Sequence, residues 1–505
     1  MKYLYGVAIL CCFILWSSCR NDFETVASSG NLEFSKDTVY LDTIFTNIGS
    51  STYKLKVYNN SKDDIHIPSL KLGQGESSHY RLNVDGMPGK VFQDVQVLAK
   101  DSIFIFVETT FDINNPPNTS DEFLYTDQIL FDTGANEQKV ELVTLVKDAV
   151  FLYPEKYADG TIETLTLGSG EDAIEIPGFF LDDDELTFTN EKPYVIYGFA
   201  AVRSDKTLNV EAGARVHFHA NSGILVAGSM KVMGTPSLDR EAMENEVIFQ
   251  GDRLEPSFAN TPGQWGYIRL TSGSTGNEFN HTTIKNAIVG IIVEDSPAIL
   301  RNVQLYNNSN IGLMAVTGNV YGENVVINNS GQSSLAIQLG GSYEFNHCTF
   351  ANYWTNGFRN FSAVTVENTL EVGETLFIAD LIKADFTNCI IYGNDRIELS
   401  LGRSLEAAFN YSFKNSLIRF EDPRGEFSEN PLYDFSDASL FSEIVFNVNP
   451  TFQNTNQNNF NIEKGNSGAE DIGLSGVQPL IDLNGVNRAT PPDAGAYESS
   501  VFPEE

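Results

Sequence analysis

Phe345-Asn346-His347-Cys348-Thr349-Phe350, Phe386-Thr387-Asn388-Cys389-Ile390-Ile391 and Phe413-Lys414-Asn415-Ser416-Leu417-Ile418 share one six-residue pattern. An aromatic ring is followed by a polar residue, an amide or imidazole, a small residue, and two apolar or β-branched residues. Extending the alignment outward brings His281, Asn302, Asn324, His347, Asn368, Asn388 and Asn415 into a single column, with spacings of 21, 22, 23, 21, 20 and 27 residues. One position later stand Thr282, Val303, Val325, Cys348, Thr369, Cys389 and Ser416, all small or β-branched. Two positions earlier stand Phe279, Leu300, Gly322, Phe345, Val366, Phe386 and Phe413. A period near 22 fits neither a heptad nor a pair of helices, but it fits one turn of a coiled β-ribbon with about three short strands per turn. Successive turns would lie about 4.8 Å apart, so like side chains would stack, and each Asn could pair its amide with the next.

Looser copies of the repeat lie upstream. Thr207–Phe218 reads as strand, Gly turn, strand, and Gly223–Gly234 reads alike. At roughly 22 residues per turn, residues 193–449 would make about eleven coils of a right-handed parallel β-helix, with handedness following the preference of parallel crossovers. An open end of such a stack is an aggregation edge, and the Asn-, Gly- and Pro-rich residues 450–505 are expected to cap it.

Residues 31–148 follow a different rhythm. Short alternating or apolar runs are broken by Asn59-Asn60-Ser61-Lys62-Asp63-Asp64, Asp85-Gly86-Met87-Pro88-Gly89 and Asp132-Thr133-Gly134. About seven strands with turns every ten or so residues predict an immunoglobulin-like β-sandwich. Residues 149–192 are expected to link the two units and to cap the start of the coil. The fold class predicted for the whole chain is therefore all-β.

Composition agrees with that class: Phe (35), Tyr (20) and Gly (40) are abundant in 505 residues, and charged residues make up 20%. The first residues read as an address. Lys2, the apolar run from Leu4 to Trp16, and Ser17-Ser18 before Cys19 have the layout of a secretory signal over residues 1–18, too short to span a membrane comfortably. Leu15-Trp16-Ser17-Ser18-Cys19 resembles a bacterial lipoprotein signal, which implies lipidation at Cys19 and a polar tether over 19–30. The expected location is the outer membrane, with the protein lipid-anchored and facing the periplasm or the exterior. Removal of the leader would leave 31 basic against 67 acidic side chains. So acidic a chain, without a basic run, excludes nucleic-acid binding.

Taken with Tyr194–Gly198, Gly251-Asp252-Arg253-Leu254-Glu255, Pro262-Gly263-Gln264-Trp265-Gly266 and the closing Asp482–Arg488 and Pro492–Glu498, these features resemble the right-handed β-helix surface lipoproteins of Gram-negative bacteria, whose solenoid is pectin-lyase-like. The resemblance covers nearly all of the mature chain and implies a fold and a location. It carries over no catalytic residue.

The paired aspartates, Gly-His-Gly turn and Arg-x-Lys strand that mark hydrolases of this shape are absent from the sequence. The raw materials of a calcium-dependent lyase, Asp252, Arg253, Glu255, Arg269, Glu278, Glu294 and Asp295, lie on separate segments without recurrent spacing. Asp182-Asp183-Asp184-Glu185 lacks the alternation of a cation loop and reads as a solvated acidic turn. His217 and His219 share the face opposite Val216 and Phe218 and read as a surface pair. Cys348 and Cys389, with the Asn368 turn between them, are expected about 9.6 Å apart, beyond disulfide reach. Trp265, Tyr267, Tyr306, Tyr343 and Trp354, with Tyr353, read either as a sugar-stacking platform or as fillers of the coil interior. No metal or cofactor is expected. The reading that results is a non-enzymatic envelope lipoprotein whose partners are the membrane, through its lipid, and a polysaccharide or another envelope protein. The alternative is a polysaccharide lyase or glycoside hydrolase on the same frame.

Overall fold

A computed structural model describes residues 25–112, 122–168, 170 and 173–503. The leader and Cys19 lie outside the described residues. The chain is essentially all-β and divides into two compact units, Met1–Lys147 and Asp148–Glu505.

In the first unit a six-stranded sheet orders Val26–Ala27, Ile65–Leu72, Glu122–Phe131, Gln138–Lys147 and Thr38–Phe45, with Val91–Val97 also pairing to Ile65–Leu72. A five-stranded sheet orders Glu33–Phe34, Tyr53–Tyr58, Ser102–Thr109, Tyr80–Val84 and Met87–Gly89. Alternation drives the layering. Val140, Leu142, Thr144 and Val146 point inward from one sheet and meet Leu55, Val57, Ile105 and Val107 from the other, all buried.

The second unit is built from long parallel sheets of nineteen and ten strands. The chain leaves a strand of the nineteen-stranded sheet, passes through a strand of the ten-stranded sheet, and returns to pair in parallel with the strand it left. Asn277–Lys285 and Pro297–Asn308 show how. Phe279 pairs with Leu300 and Ile284 with Leu305, while His281 and Asn302 between them drop out of the pairing. These two residues bend their strands, with φ of 41° and 55°. Asn324, His347, Asn388 and Asn415 do the same, at 52°, 52°, 55° and 48°. Left-handed backbone is costly for most side chains and least so for Asn and Gly, so the column is selected by the bend as well as by the amide stack.

Asn368 departs from the expected column. Strand Gly341–Asn346 pairs directly with Leu381–Thr387, matching Phe345 with Phe386, and Val364–Glu367 belongs to the ten-stranded sheet. This turn is long because it carries an antiparallel hairpin, Thr369–Val372 with Thr375–Ile378. Asn368 holds a local loop instead: its Nδ2 donates to Ser404 O at 3.0 Å and its Oδ1 accepts from Ser404 N at 2.7 Å. Cys348 and Cys389 are therefore on neighbouring strands, since Thr349 pairs with Ile390. They sit one strand spacing apart rather than two, and both are buried free thiols.

Inside the coil the rings of Phe345, Phe386, Phe413 and Phe441 stack in order, with centroids 5.4, 4.7 and 5.5 Å apart. Phe420, Phe427, Tyr433 and Phe435 gather against Phe441 and Phe446 of the last strands as an aromatic plug. The C-terminal segment does not form that plug. It runs back along the outside of the nineteen-stranded sheet as a strap, bonding Asn415 through Ile472, Asn388 through Leu474 and Asn324 through Ile481. Its fit is close: a Cβ on Gly495 would lie 2.6 Å from Ile390 Cδ1, and Gly495 N donates to Asn388 O.

Candidate functional site

Between the strap and the start of the Asn column lies a groove of about 580 Å³. Its floor is His281, Asn302, Gln304 and Asn324. One wall is the loop of residues 234–246, which brings Arg240 and Glu246. Arg215 pins that loop by donating to the carbonyls of Glu246 and Met243, both at 2.6 Å. The opposite wall is the strap, with Pro479, Ile481, Leu483 and Asn484, and Asn458, Asn459, Asn461 and Tyr497 complete the lining. Arg240 donates to Asn484 O at 2.7 Å and so ties the two walls together.

Hydrogen bonding gives the floor a direction. Asn324 Nδ2 donates to Asn302 Oδ1 at 2.9 Å, which turns Asn302 Nδ2 toward His281 Nε2 at 3.1 Å. The imidazole nitrogen that meets a donor must accept, so the proton resides on Nδ1. Burial lowers the His281 pKa and keeps the ring neutral. Glu246 has the opposite shift: burial raises its carboxyl pKa, with Arg215 pulling the other way. The groove thus offers a neutral imidazole, several amides, the Arg240 guanidinium, two carboxyls, Glu246 and Asp482, whose pKa values burial raises, and a few apolar edges.

Five aromatic residues of the expected platform do not share a face. Trp265 is fully buried, stacked on Phe218 at 4.1 Å with Nε1 donating to Lys285 O. Tyr343 is buried, and its hydroxyl donates to Gly340 O while accepting from Gly318 N. Tyr306 lies under the strap against Phe460, donating to Gln304 Oε1 at 2.9 Å. Tyr267 is half-buried beside Phe199 and Trp354 half-buried on the loop after Thr349–Asn352. The interior and the covered outer face needed these rings for packing. Tyr353 likewise packs on Phe452 and Phe460.

His217 and His219 are not a surface pair. His217 is buried with Nδ1 3.1 Å from Gly251 O, and burial holds its pKa down to about 4. His219 is half-exposed, stacked on Tyr197, with Nδ1 2.7 Å from Asp252 Oδ2; that bond raises its pKa. Six of the seven charged residues considered for a lyase pair off locally, Asp252 with His219 among them, while Glu278 lies on strand Asn277–Lys285. Arg253 meets Glu255 at 2.7 Å, Arg269 meets Glu294 at 2.6 Å, and Asp295 takes the Ser272 hydroxyl. Asp183 pairs with Lys206. Among the described residues no group of three or more His, Cys, Asp or Glu side chains converges as a metal site would require.

The groove residues Arg240, Glu246, Gln304 and Asn461 belong to no sequence pattern, and Tyr497 enters only as part of the closing Pro492–Glu498 motif. A second amide column does: Asn286, Asn307 and Asn329, spaced 21 and 22 apart, with Asn307 donating to Asn286 and Asn329 to Asn307. Its period would have disclosed it.

No family model and no curated protein matches the chain. Among solved structures, fragments are similar to a family 123 glycoside hydrolase from Clostridium perfringens, at 11% identity over 23% of this chain and 24% of that one, with a TM-score of 0.18. Other fragments are similar to the E. coli chaperone DraB, at 15% identity over 25% of this chain and 58% of that one, with a TM-score of 0.17. The matched stretches span less than two thirds of either structure, and likenesses so partial bear on neither fold nor function.

Proposed function

We propose that this protein is a lipid-anchored component of the bacterial cell envelope, exported by residues 1–18 and acylated at Cys19. In this reading a β-sandwich is followed by a right-handed parallel β-helix that binds a glycan without turning it over. The observation that carries the reading is the groove, a concave site of about 580 Å³ lined by Asn302, Gln304, Asn324, Asn458, Asn459, Asn461 and Asn484 amides, a Tyr and short apolar edges, with Arg240, Glu246 and Asp482 among them. That mixture suits a neutral, hydroxyl-rich chain, which needs many weak donors and acceptors and modest apolar contact. The strong net negative charge disfavours anionic polymers.

One observation favours the competing reading of a glycoside hydrolase or polysaccharide lyase. Glu246 faces the groove with a raised pKa, as a general acid would. A glycan array with the full-length protein, followed by product analysis of each hit, separates the two. Retention without cleavage is expected. Cleaved product that disappears in Glu246→Gln would replace binding with catalysis, and an empty array would remove the glycan. Export is tested separately: labelling with a radioactive fatty acid should mark the wild type and spare Cys19→Ala, and equal labelling of both would contradict the anchor.

A further inference from the structure

We infer that the groove selects glycans bearing N-acetyl groups, with the Asn302 side-chain amide donating to the acetamido carbonyl; this rests on the glycan-binding reading above.

The argument begins with what the strap does further along the column. Each amide nitrogen there has two hydrogens to place. Asn324 Nδ2 gives one along the column to Asn302 and one sideways to Ile481 O, both at 2.9 Å. Asn388 Nδ2 gives one to His347 Nε2 at 2.9 Å and one to Leu474 O at 3.0 Å. Asn415 Nδ2 donates to Ile472 O at 2.9 Å. The sideways partner is an amide carbonyl of the strap every time. At Asn302 the column bond to His281 is made, but the strap has turned away into the groove wall. The second hydrogen of this partly exposed amide has no acceptor among the described residues. An occupant of the groove therefore meets a donor already placed for an amide carbonyl.

The surroundings fit an acetamido sugar. Ile481, Leu483 and Pro479 line the strap wall of the same groove and supply the apolar contact that an acetyl methyl needs. Glu246, whose side-chain carboxyl makes no hydrogen bond among the described residues, and the His281 imidazole supply an acceptor and a donor for ring hydroxyls. A peptide fits less well. The floor strands Ser229–Met233, Asn277–Lys285, Pro297–Asn308 and Asn319–Glu323 are each paired on both sides. They leave no row of backbone groups to satisfy the alternating N–H and C=O of an added strand.

The test is calorimetric titration of the full-length protein with chitotetraose and with cellotetraose, which has a hydroxyl where the former has an acetamido group. The first should bind at least tenfold more tightly. Asn302→Asp, which keeps the oxygen that receives Asn324 but loses the donor, should remove that advantage. Asn415→Asp, the same change under the strap, should leave it intact. Equal affinity of the wild type for both sugars, or an undiminished preference in Asn302→Asp, would overturn the inference while leaving glycan binding standing. Failure to bind any glycan, or binding of an extended peptide instead, would overturn both. Should Asn302→Asp not fold, saturation-transfer NMR on the wild type decides: transfer strongest at the acetyl methyl supports the assignment, and transfer confined to ring protons refutes it.

Discussion

Asn388 concentrates the physics of the column in one residue. Its backbone adopts φ of 55°, its Nδ2 serves His347 and Leu474, and its Oδ1 receives Leu474 N. Two substitutions separate these roles. Asn388→Gly keeps the bend and loses the amide, removing the partner of Leu474 N and the Asn388 bond to His347 Nε2, for about 1 to 3 kcal/mol. Asn388→Ala adds the left-handed backbone penalty, roughly 1 to 2 kcal/mol more. Thermal melting should rank wild type above Gly above Ala; an Ala variant at least as stable as Gly would mean that the bend is not what selects Asn. His219 makes a second residue-scale prediction. Its folded pKa is raised by Asp252, so its contribution is fully present below about pH 6.5, the unfolded value, and is lost as pH rises through the higher folded value. The melting-temperature gap between wild type and His219→Gln should accordingly be wider at pH 5.5 than at pH 8.5. A gap independent of pH would show that the pair carries no charge linkage.

At the scale of elements, the strap and the interior make separable demands. Gly322 faces Phe345 so closely that a Cβ would lie 2.5 Å from the ring. Gly322→Val should cost about 1 to 3 kcal/mol by overpacking, and Phe413→Ala, which opens the ring stack, about 3 to 5 kcal/mol. Arg488 fastens the strap: it is nearly inaccessible, donating to Glu498 at 3.0 Å and to Asn324 Oδ1 at 2.7 Å. Arg488→Met leaves a buried carboxylate unpaired, a loss of about 3 to 5 kcal/mol. It should expose the strap to limited proteolysis while the coil stays intact; unchanged strap protection would contradict this role. The same elements show why the sequence is legible only in part. Bends that need Asn recur with the turn, so His281, Asn302, Asn324, His347, Asn388 and Asn415 can be aligned by eye. Asn368 imitates them, because Val366-Glu367-Asn368-Thr369 has the same local spelling, yet the hairpin that follows moves it to a different sheet. The strap leaves no period at all. Its bonds join single side chains to backbone groups some 57 to 157 residues away, and the groove it creates is as hidden in the sequence as those bonds. Aromatics were ambiguous for another reason: a ring that fills a coil and a ring that stacks on a sugar are spelled alike.

For the second unit as a whole, the account reduces to parallel self-stacking, in which a long chain is folded into a short rise. Lys231 pairs with Glu278, Glu278 with Ile299, Ile299 with Tyr321, Tyr321 with Glu344 and Glu344 with Asp385. Those outward-facing positions run through 154 residues of sequence but only five strand spacings, or about 24 Å between the end backbones. Spin labels at Lys231→Cys and Asp385→Cys, with the buried native thiols unlabelled, measure that distance directly by pulsed electron resonance. A single narrow distribution centred near 24 Å, allowing a few ångströms for the label arms, is the predicted result. A broad distribution, or one centred beyond about 40 Å, would contradict the stacking on which the column, the strap and the groove all depend.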